Sequence, residues 1–208
     1  MNYEILAAFI LATAALAISP GPDNIYVLTQ SISNGIKYGL STTAGLITGC
    51  IVHTTFLAFG VSVLIKENDQ LFFVIKLFGA FYLFYLAYKV YFTKAHITLD
   101  HTGVPKKKLS QLFRQGFIMN VLNPKVTIFF LAFFPGFLFS EDLNTIIQFY
   151  VLGFLFMIVT FLIFSSIALL SGSIAELIKK HSGIELFLKW LQIVVFCGIG
   201  IYLLFLDK

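Results

Sequence analysis

The chain has 208 residues, of which 59% are hydrophobic and only 12% are charged, and its formal net charge is +4. This number of charged residues is too small to cover a water-facing surface. The composition therefore excludes a soluble globular protein and indicates an all-α polytopic membrane protein. The chain is too short to add a folded soluble domain to its membrane part, and we expect one transmembrane domain over residues 1–208.

Six apolar runs separated by charged residues predict six transmembrane helices. A helix needs about 20 residues to cross about 30 Å of hydrocarbon, and each run meets or nearly meets that length. The runs cover residues 5–22, 38–65, 71–88, 115–140, 143–175 and 190–206. The fifth run is too long for one crossing, so we expect a helix end and a turn around 170–173. Lys76, near the start of the third run, is expected to extend outward to the interface.

The distribution of lysine and arginine predicts the orientation in the membrane. Of the 14 Lys and Arg residues, ten fall in alternate connections between the runs, and the other side has only Lys66 and Lys208. The positive-inside rule then places both termini outside and the loop 94–108 in the cytoplasm. This asymmetry accounts for the net positive charge, so no nucleic-acid partner is expected.

The first and fourth runs are each interrupted by proline beside polar residues. The first break contains Pro20, Gly21, Pro22, Asp23 and Asn24, and the second contains Asn120, Asn123, Pro124 and Lys125. Proline leaves backbone groups without partners, and lipid offers none, so such a break persists only beside a protein-lined, water-accessible cavity. Transporters hold their substrates at breaks of this kind, and the prolines and Gly21 would shape and gate the site.

The two halves of the chain look related. The pairs Pro22-Asp23 and Pro124-Lys125 lie 102 residues apart, and the segments 79–83 and 198–203 both begin with Gly and end in Tyr-Leu. Two related units of three spans each must have opposite orientations, because three is odd. We therefore predict an inverted repeat with halves at about 1–93 and 109–208 and with broken helices 1 and 4.

Together these motifs resemble the LysE/RhtB superfamily of bacterial amino-acid exporters. The resemblance rests on Ser-Pro-Gly-Pro at 19–22, Asn-Gly-x-x-x-Gly at 34–39, Gly-x-x-x-Gly at 45–49, Asn-Pro-Lys at 123–125, the six runs and the basic middle loop. It implies a transporter in the bacterial cytoplasmic membrane that exports an amino acid or close derivative and is driven by the ion gradient. A membrane scaffold or channel subunit, and a cation exporter of a related branch, remain the alternatives. A homodimer is left open.

Asp23 and Lys125 are the two charges predicted at membrane depth within the breaks. An ionisable group there costs about 2.5–3.5 kcal/mol on insertion scales unless it is paired or hydrated. Asp23 would hold a substrate ammonium or carry a proton, and Lys125 would hold a substrate carboxylate. The alternative is a permanent ion pair that only ties the halves together. Asn24, Asn120 and Asn123 would contact substrate or satisfy the freed backbone groups.

His53 shares one helical face with Gly45 and Gly49. Glycines at this spacing favour close helix packing, and His53 is either a proton relay or a histidine hydrogen-bonded inside the bundle. His96, Asp100 and His101 lie in a polar loop without a further strong ligand, so neither a metal nor a cofactor is predicted. The chain has no His-Glu-x-x-His motif and no second buried Asp to pair with Asp23, so we do not expect an enzyme.

Overall fold

The protein is an all-α polytopic membrane protein. The computed structural model describes residues 2–61, 69–93 and 104–205, and it contains no strand in these ranges. The helices are α1 (Tyr3–Ile18), α2 (Pro22–Asn34), α3 (Ile36–Phe56), α4 (Asp69–Phe92), α5 (Leu109–Val121), α6 (Pro124–Ile128), α7 (Thr145–Leu169), α8 (Ser171–Lys180) and α9 (Ser182–Phe205). A π-helical turn, Leu57–Val61, extends α3, while a π-helical turn, Phe129–Phe133, and a 3-10 turn, Phe134–Phe137, extend α6.

Six spans result if each bent helix pair is counted as one crossing. Within the described ranges, four helices are by themselves long and apolar enough to cross a membrane, namely Ile36–Gly60, Phe73–Phe92, Thr145–Leu169 and Gly183–Phe205. The pair α1 and α2 is bent by 60°, and the pair α5 and α6 with its extension is bent by 49°. We number the spans 1 to 6, so that spans 1 and 4 are the bent pairs, as the prolines predict.

Proline sets where both bent spans break. Ser19 is extended (ψ 116°), as a residue before proline prefers to be, and this ends α1. Pro22 and Pro124 each occupy the first turn of the next helix, where a missing N–H is not a lost hydrogen bond. The chain therefore turns at each break and restarts a helix directly, and polar residues follow both prolines.

The long fifth run divides as expected. Helix α7 ends at Leu169, the chain turns at Leu170, and the amphipathic helix α8 begins at Ser171. The exposed side of α8 carries an ion pair between Lys180 and Glu176 with an N–O distance of 2.6 Å. Helix α8 therefore connects spans 5 and 6 and is not itself a crossing.

Glycines bring spans 2 and 4 into close contact. A Cβ atom on Gly45 would collide with the backbone carbonyl of Phe113, and one on Gly116 would collide with the carbonyl of Thr42. A Cβ atom on Gly49 would lie 2.7 Å from the side-chain oxygen of Asn120. The packing interpretation of Gly45 and Gly49 is therefore confirmed, and this contact holds the second break against α3.

Replacing Gly45 with alanine is expected to destabilise the protein by about 1–3 kcal/mol, because the added methyl group meets backbone that cannot turn away. Gly198→Ala is the matched control, since nothing lies within 4 Å of its Cβ position. Thermal unfolding of the purified proteins in detergent measures both changes. Equal stability of the two variants would contradict the close packing of spans 2 and 4.

The most extensive contacts between spans are related as a two-fold axis would relate them, whereas the contact of span 1 with span 2 has no equally extensive counterpart between spans 4 and 5. The most extensive contacts join span 2 to span 4, span 3 to span 6, and span 5 to spans 1 and 2. An axis that exchanges spans 1, 2 and 3 with 4, 5 and 6 turns the contact of 2 with 4 into that of 5 with 1. It leaves the contacts of 3 with 6 and of 2 with 5 unchanged. The inverted repeat itself stays a prediction.

Phenylalanine rings fill the core beyond the break in span 4. Phe129, Phe130, Phe133, Phe134 and Phe137 are all buried in the segment that extends α6. They pack against one another and against neighbouring helices, with the rings of Phe130 and Phe134 stacked at 4.1 Å. This packing fixes the position of α6 and therefore of the polar residues at its start.

One expectation for span 3 is wrong. Lys76 does not extend outward, because only 8% of its surface is exposed. Its ammonium lies 5.6 Å from the centroid of the Phe73 ring, a distance at which the ring attracts the positive charge.

Candidate functional site

The two breaks lie side by side and enclose a cavity of about 40 Å³. This volume holds about three water molecules. The two breaks contribute Gly21, Pro22, Asp23, Asn24, Asn120, Asn123 and Lys125 to its lining, and the rest of the lining is Leu16, Ala17, Val126, Phe156, Thr160 and Phe164. All five residues predicted from the sequence to bind substrate thus meet at one place, although they come from two spans far apart in the chain.

Side chains from both spans bond the open carbonyls at the end of α1. Pro20 cannot donate to the carbonyl of Leu16 four residues earlier, and the Lys125 ammonium takes that place at 3.3 Å. The same ammonium donates to the carbonyl of Ser19 at 3.4 Å, and the Asn24 amide donates to the carbonyl of Ala17 at 2.7 Å. A positive charge is favoured here, because the carbonyl end of a helix carries partial negative charge.

The open carbonyl of the second break is that of Asn120, four residues before Pro124. It accepts hydrogen bonds from the backbone N–H of Asn123 at 3.0 Å and from Nε2 of His53 at 3.2 Å. Because a carbonyl can only accept, Nε2 carries the proton. His53 is buried and does not line the cavity. It is thus hydrogen-bonded inside the bundle, and its part in proton transfer stays a prediction.

Asn123 joins the two breaks directly. Its side-chain oxygen accepts from the backbone N–H of Lys125 at 3.0 Å and so caps α6, while its amide donates to the Asp23 carboxylate at 2.8 Å. Asp23 lies in the first turn of α2, where the positive end of the helix favours a carboxylate. Asp23 is 7% exposed and Asn123 is half-buried, so this hydrogen bond is partly shielded from outside the protein.

Asp23 and Lys125 do not form a direct ion pair in this structure. The carboxylate is held by Asn123, and the ammonium is held by the carbonyls of α1 and lies 5.2 Å from the centroid of the Phe196 ring in α9. The open carbonyls account for this arrangement, since they offer the ammonium acceptors that need satisfying in any case. The two charges are separated but share one cavity.

The cavity wall contributed by α7 was not predicted from the sequence. Phe156, Thr160 and Phe164 follow one another at four-residue spacing and therefore share one face of that helix. The signal is weak, because α7 has no charge that distinguishes one face from another. His96, Asp100 and His101, considered above for metal binding, lie outside the described residues.

Comparison with known proteins agrees with this geometry. The family model of LysE type translocators matches residues 14–206. The homoserine/homoserine lactone efflux protein of Salmonella typhimurium is 30% identical over 179 residues, which cover 86% of each chain. The leucine efflux protein of Salmonella choleraesuis is 31% identical over 169 residues, covering 79% of this chain and 77% of that protein. No solved structure matches. Since the family model covers nearly the whole chain, including both broken spans, the protein belongs to the LysE family of translocators.

Proposed function

We propose that the protein is a secondary transporter that exports an amino acid or a close derivative from the cytoplasm in exchange for protons. One observation carries the proposal: a single cavity between two broken spans holds one carboxylate and one ammonium that are not paired with each other. These charges complement the ammonium and the carboxylate of a zwitterion. The names of the two efflux relatives support an amino acid as the class of substrate.

Substrate would bind by exchanging partners with groups already in the cavity. Its ammonium would take the place of the Lys125 ammonium at the carbonyls of α1 and lie near the Asp23 carboxylate. The displaced Lys125 would then be free to hold the substrate carboxylate, beside the positive end of α6. Each charged group keeps a partner throughout, which matters because an unpaired charge at this depth is costly.

The volume of the cavity implies motion. A cavity of about 40 Å³ has room for about three waters and is too small for an amino acid, so it must enlarge for substrate to bind. Spans 1 and 4 would have to move apart for substrate to enter, and the breaks at the prolines are the natural places for that movement. Binding would then favour an open form, as any ligand favours the conformation to which it binds better.

Asp23 is the proposed proton carrier. When substrate leaves on the outer side, the Asp23 carboxylate would lose its ammonium partner and take up a proton from the more acidic face. A protonated Asp23 side chain is uncharged and would return through the closed form at a lower cost than a carboxylate without its ammonium partner, and the proton would be released inward. Each cycle would therefore move one substrate out and at least one proton in.

Transport by purified protein in liposomes tests this function. A panel of radiolabelled amino acids is loaded inside, and efflux is followed with and without an imposed pH gradient. We expect one chemical group of substrates to leave protein-containing liposomes faster than empty ones, and a protonophore to remove the stimulation by the gradient. A folded protein that moves none of them, or moves only inorganic cations, would overturn the proposal. Efflux that ignores the gradient would overturn the proton coupling alone.

The proposed orientation has both termini outside, in the bacterial cytoplasmic membrane. In a background without Cys50 and Cys197, Lys106→Cys should react with an impermeant thiol reagent only after the cytoplasmic face is opened. Glu141→Cys should react in intact cells. Both positions are exposed, so the accessibility of each depends on the side of the membrane. The reverse labelling pattern would show that the orientation is inverted.

A further inference from the structure

We infer that Thr160 selects the substrate by its side chain, and that the preferred substrate is an uncharged amino acid carrying a hydroxyl or carbonyl oxygen in that side chain. This inference rests on the function proposed above and adds to it a specificity-determining residue in α7. Neither the charges of the breaks nor the family match assigns a role to this helix.

The hydroxyl of Thr160 has no hydrogen-bond partner among the described residues, although its oxygen is buried. The residue is 6% exposed and lines the cavity. Hydroxyls inside helices of this protein commonly bond the carbonyl four residues earlier, as Thr54 does with Cys50 in α3 and Ser166 does with Leu162 in α7. Thr160 has the same option in its helix but does not use it. Among the described residues whose buried hydroxyl has no partner, Thr160 is the one that lines this cavity, which makes it the candidate to meet a ligand there.

The rest of the α7 wall is apolar. Phe156 and Phe164 lie one turn before and one turn after Thr160 on the same face, and both line the cavity. Helix α7 contains no charged residue, so this wall offers no partner to a charged side chain. Among the residues that α7 contributes to the described lining, Thr160 is thus the only polar one.

The residues of spans 1 and 4 and those of α7 would contact different parts of an amino acid. Asp23 and Lys125 belong to spans 1 and 4 and complement the groups that all amino acids share, while the α7 wall remains for the side chain. A short side chain with an oxygen can pair with the Thr160 hydroxyl, which both donates and accepts. An aliphatic side chain of the same size offers that hydroxyl no partner, and a site built for a hydroxyl rejects such analogues.

The test compares substrates that differ by one hydroxyl group. Threonine against valine and homoserine against norvaline are offered as pairs to the purified protein in liposomes, and rates of exchange are measured. We expect the wild type to prefer the hydroxylated member, and Thr160→Val to reduce that preference by about tenfold, the value of one hydrogen bond. Thr160→Ser should keep the preference. Thr43→Val is the matched control, because Thr43 is also buried with an unpartnered hydroxyl in the described structure but does not line the cavity.

The outcomes separate this inference from the function on which it rests. If the wild type exchanges both members of each pair equally, or if Thr160→Val slows both equally, Thr160 does not select the substrate, while amino-acid transport stands. If the folded wild type exchanges neither member of any pair nor any other amino acid, the proposed function and the inference fail together. Should Thr160→Val not fold, the preference of the wild type and the behaviour of Thr160→Ser still decide the matter.

Discussion

The Asp23→Asn protein is expected to exchange substrate across the membrane but not to export it against a gradient. The substitution keeps the shape of the side chain, and its amide oxygen can still accept the hydrogen bond that the Asn123 amide donates at 2.8 Å. What it removes is the charge and the ability to carry a proton. Exchange requires only binding and reorientation, whereas uphill export requires the proton.

Two assays on the same liposomes separate these effects. Net export driven by a pH gradient should fall to the level of empty liposomes, while exchange of labelled for unlabelled substrate should stay within about tenfold of the wild-type rate, since a substrate hydrogen bond replaces a charged one. Glu141→Gln is the control, because it removes an exposed acidic group that does not line the cavity. Export by Asp23→Asn at the wild-type rate would exclude Asp23 as the proton carrier.

Replacing Lys125 with methionine is expected to abolish or strongly weaken transport. Methionine has a similar length but cannot donate to the carbonyls of Leu16 and Ser19, and it offers nothing to a substrate carboxylate. Losing one partner of a buried charge pair typically costs at least about 2 kcal/mol, which corresponds to roughly a 30-fold rise in the apparent half-saturation constant.

Lys180→Met is the matched control for Lys125→Met. Lys180 is exposed, pairs with Glu176 on α8 and does not line the cavity, and surface pairs of this kind contribute little. Concentration dependence of exchange measures the half-saturation constant, and thermal unfolding in detergent reports how much of the effect is lost stability. An unchanged half-saturation constant in folded Lys125→Met protein would exclude this lysine from the substrate site.

The structural effects of proline on the helices could be predicted from the sequence. Proline cannot be accommodated in the middle of a helix, so the positions of both bends followed from Pro20, Pro22 and Pro124 alone. Two of the open carbonyls, those of Leu16 and Asn120, also follow, because each lies four residues before a proline. Which group would bond each carbonyl did not follow. That depends on the relative depth of two spans, and depth is set by packing that no local pattern records.

On uniformly apolar helices, the residues that face the cavity could not be predicted from the sequence, for a different reason. In a long run without charges every face of the helix is similarly apolar, so nothing indicates that Thr160 faces a cavity and not lipid. Lys76 shows the converse, since a charge near the end of a span suggested exposure but the side chain is buried. Burial of single side chains in a membrane bundle is decided by neighbouring helices, which are distant in sequence.

The hydrogen bond from Asn123 to Asp23 has a consequence for the synthesis of the protein. Its two residues are 100 positions apart, so Asp23 is inserted into the membrane with spans 1 to 3 before the segment that carries its partner has been made. Until then the carboxylate and the carbonyls of Leu16 and Ser19 lack the groups that later bond them, which is costly inside a bilayer. The first half alone is therefore not a stable product, and the two halves must fold as one unit.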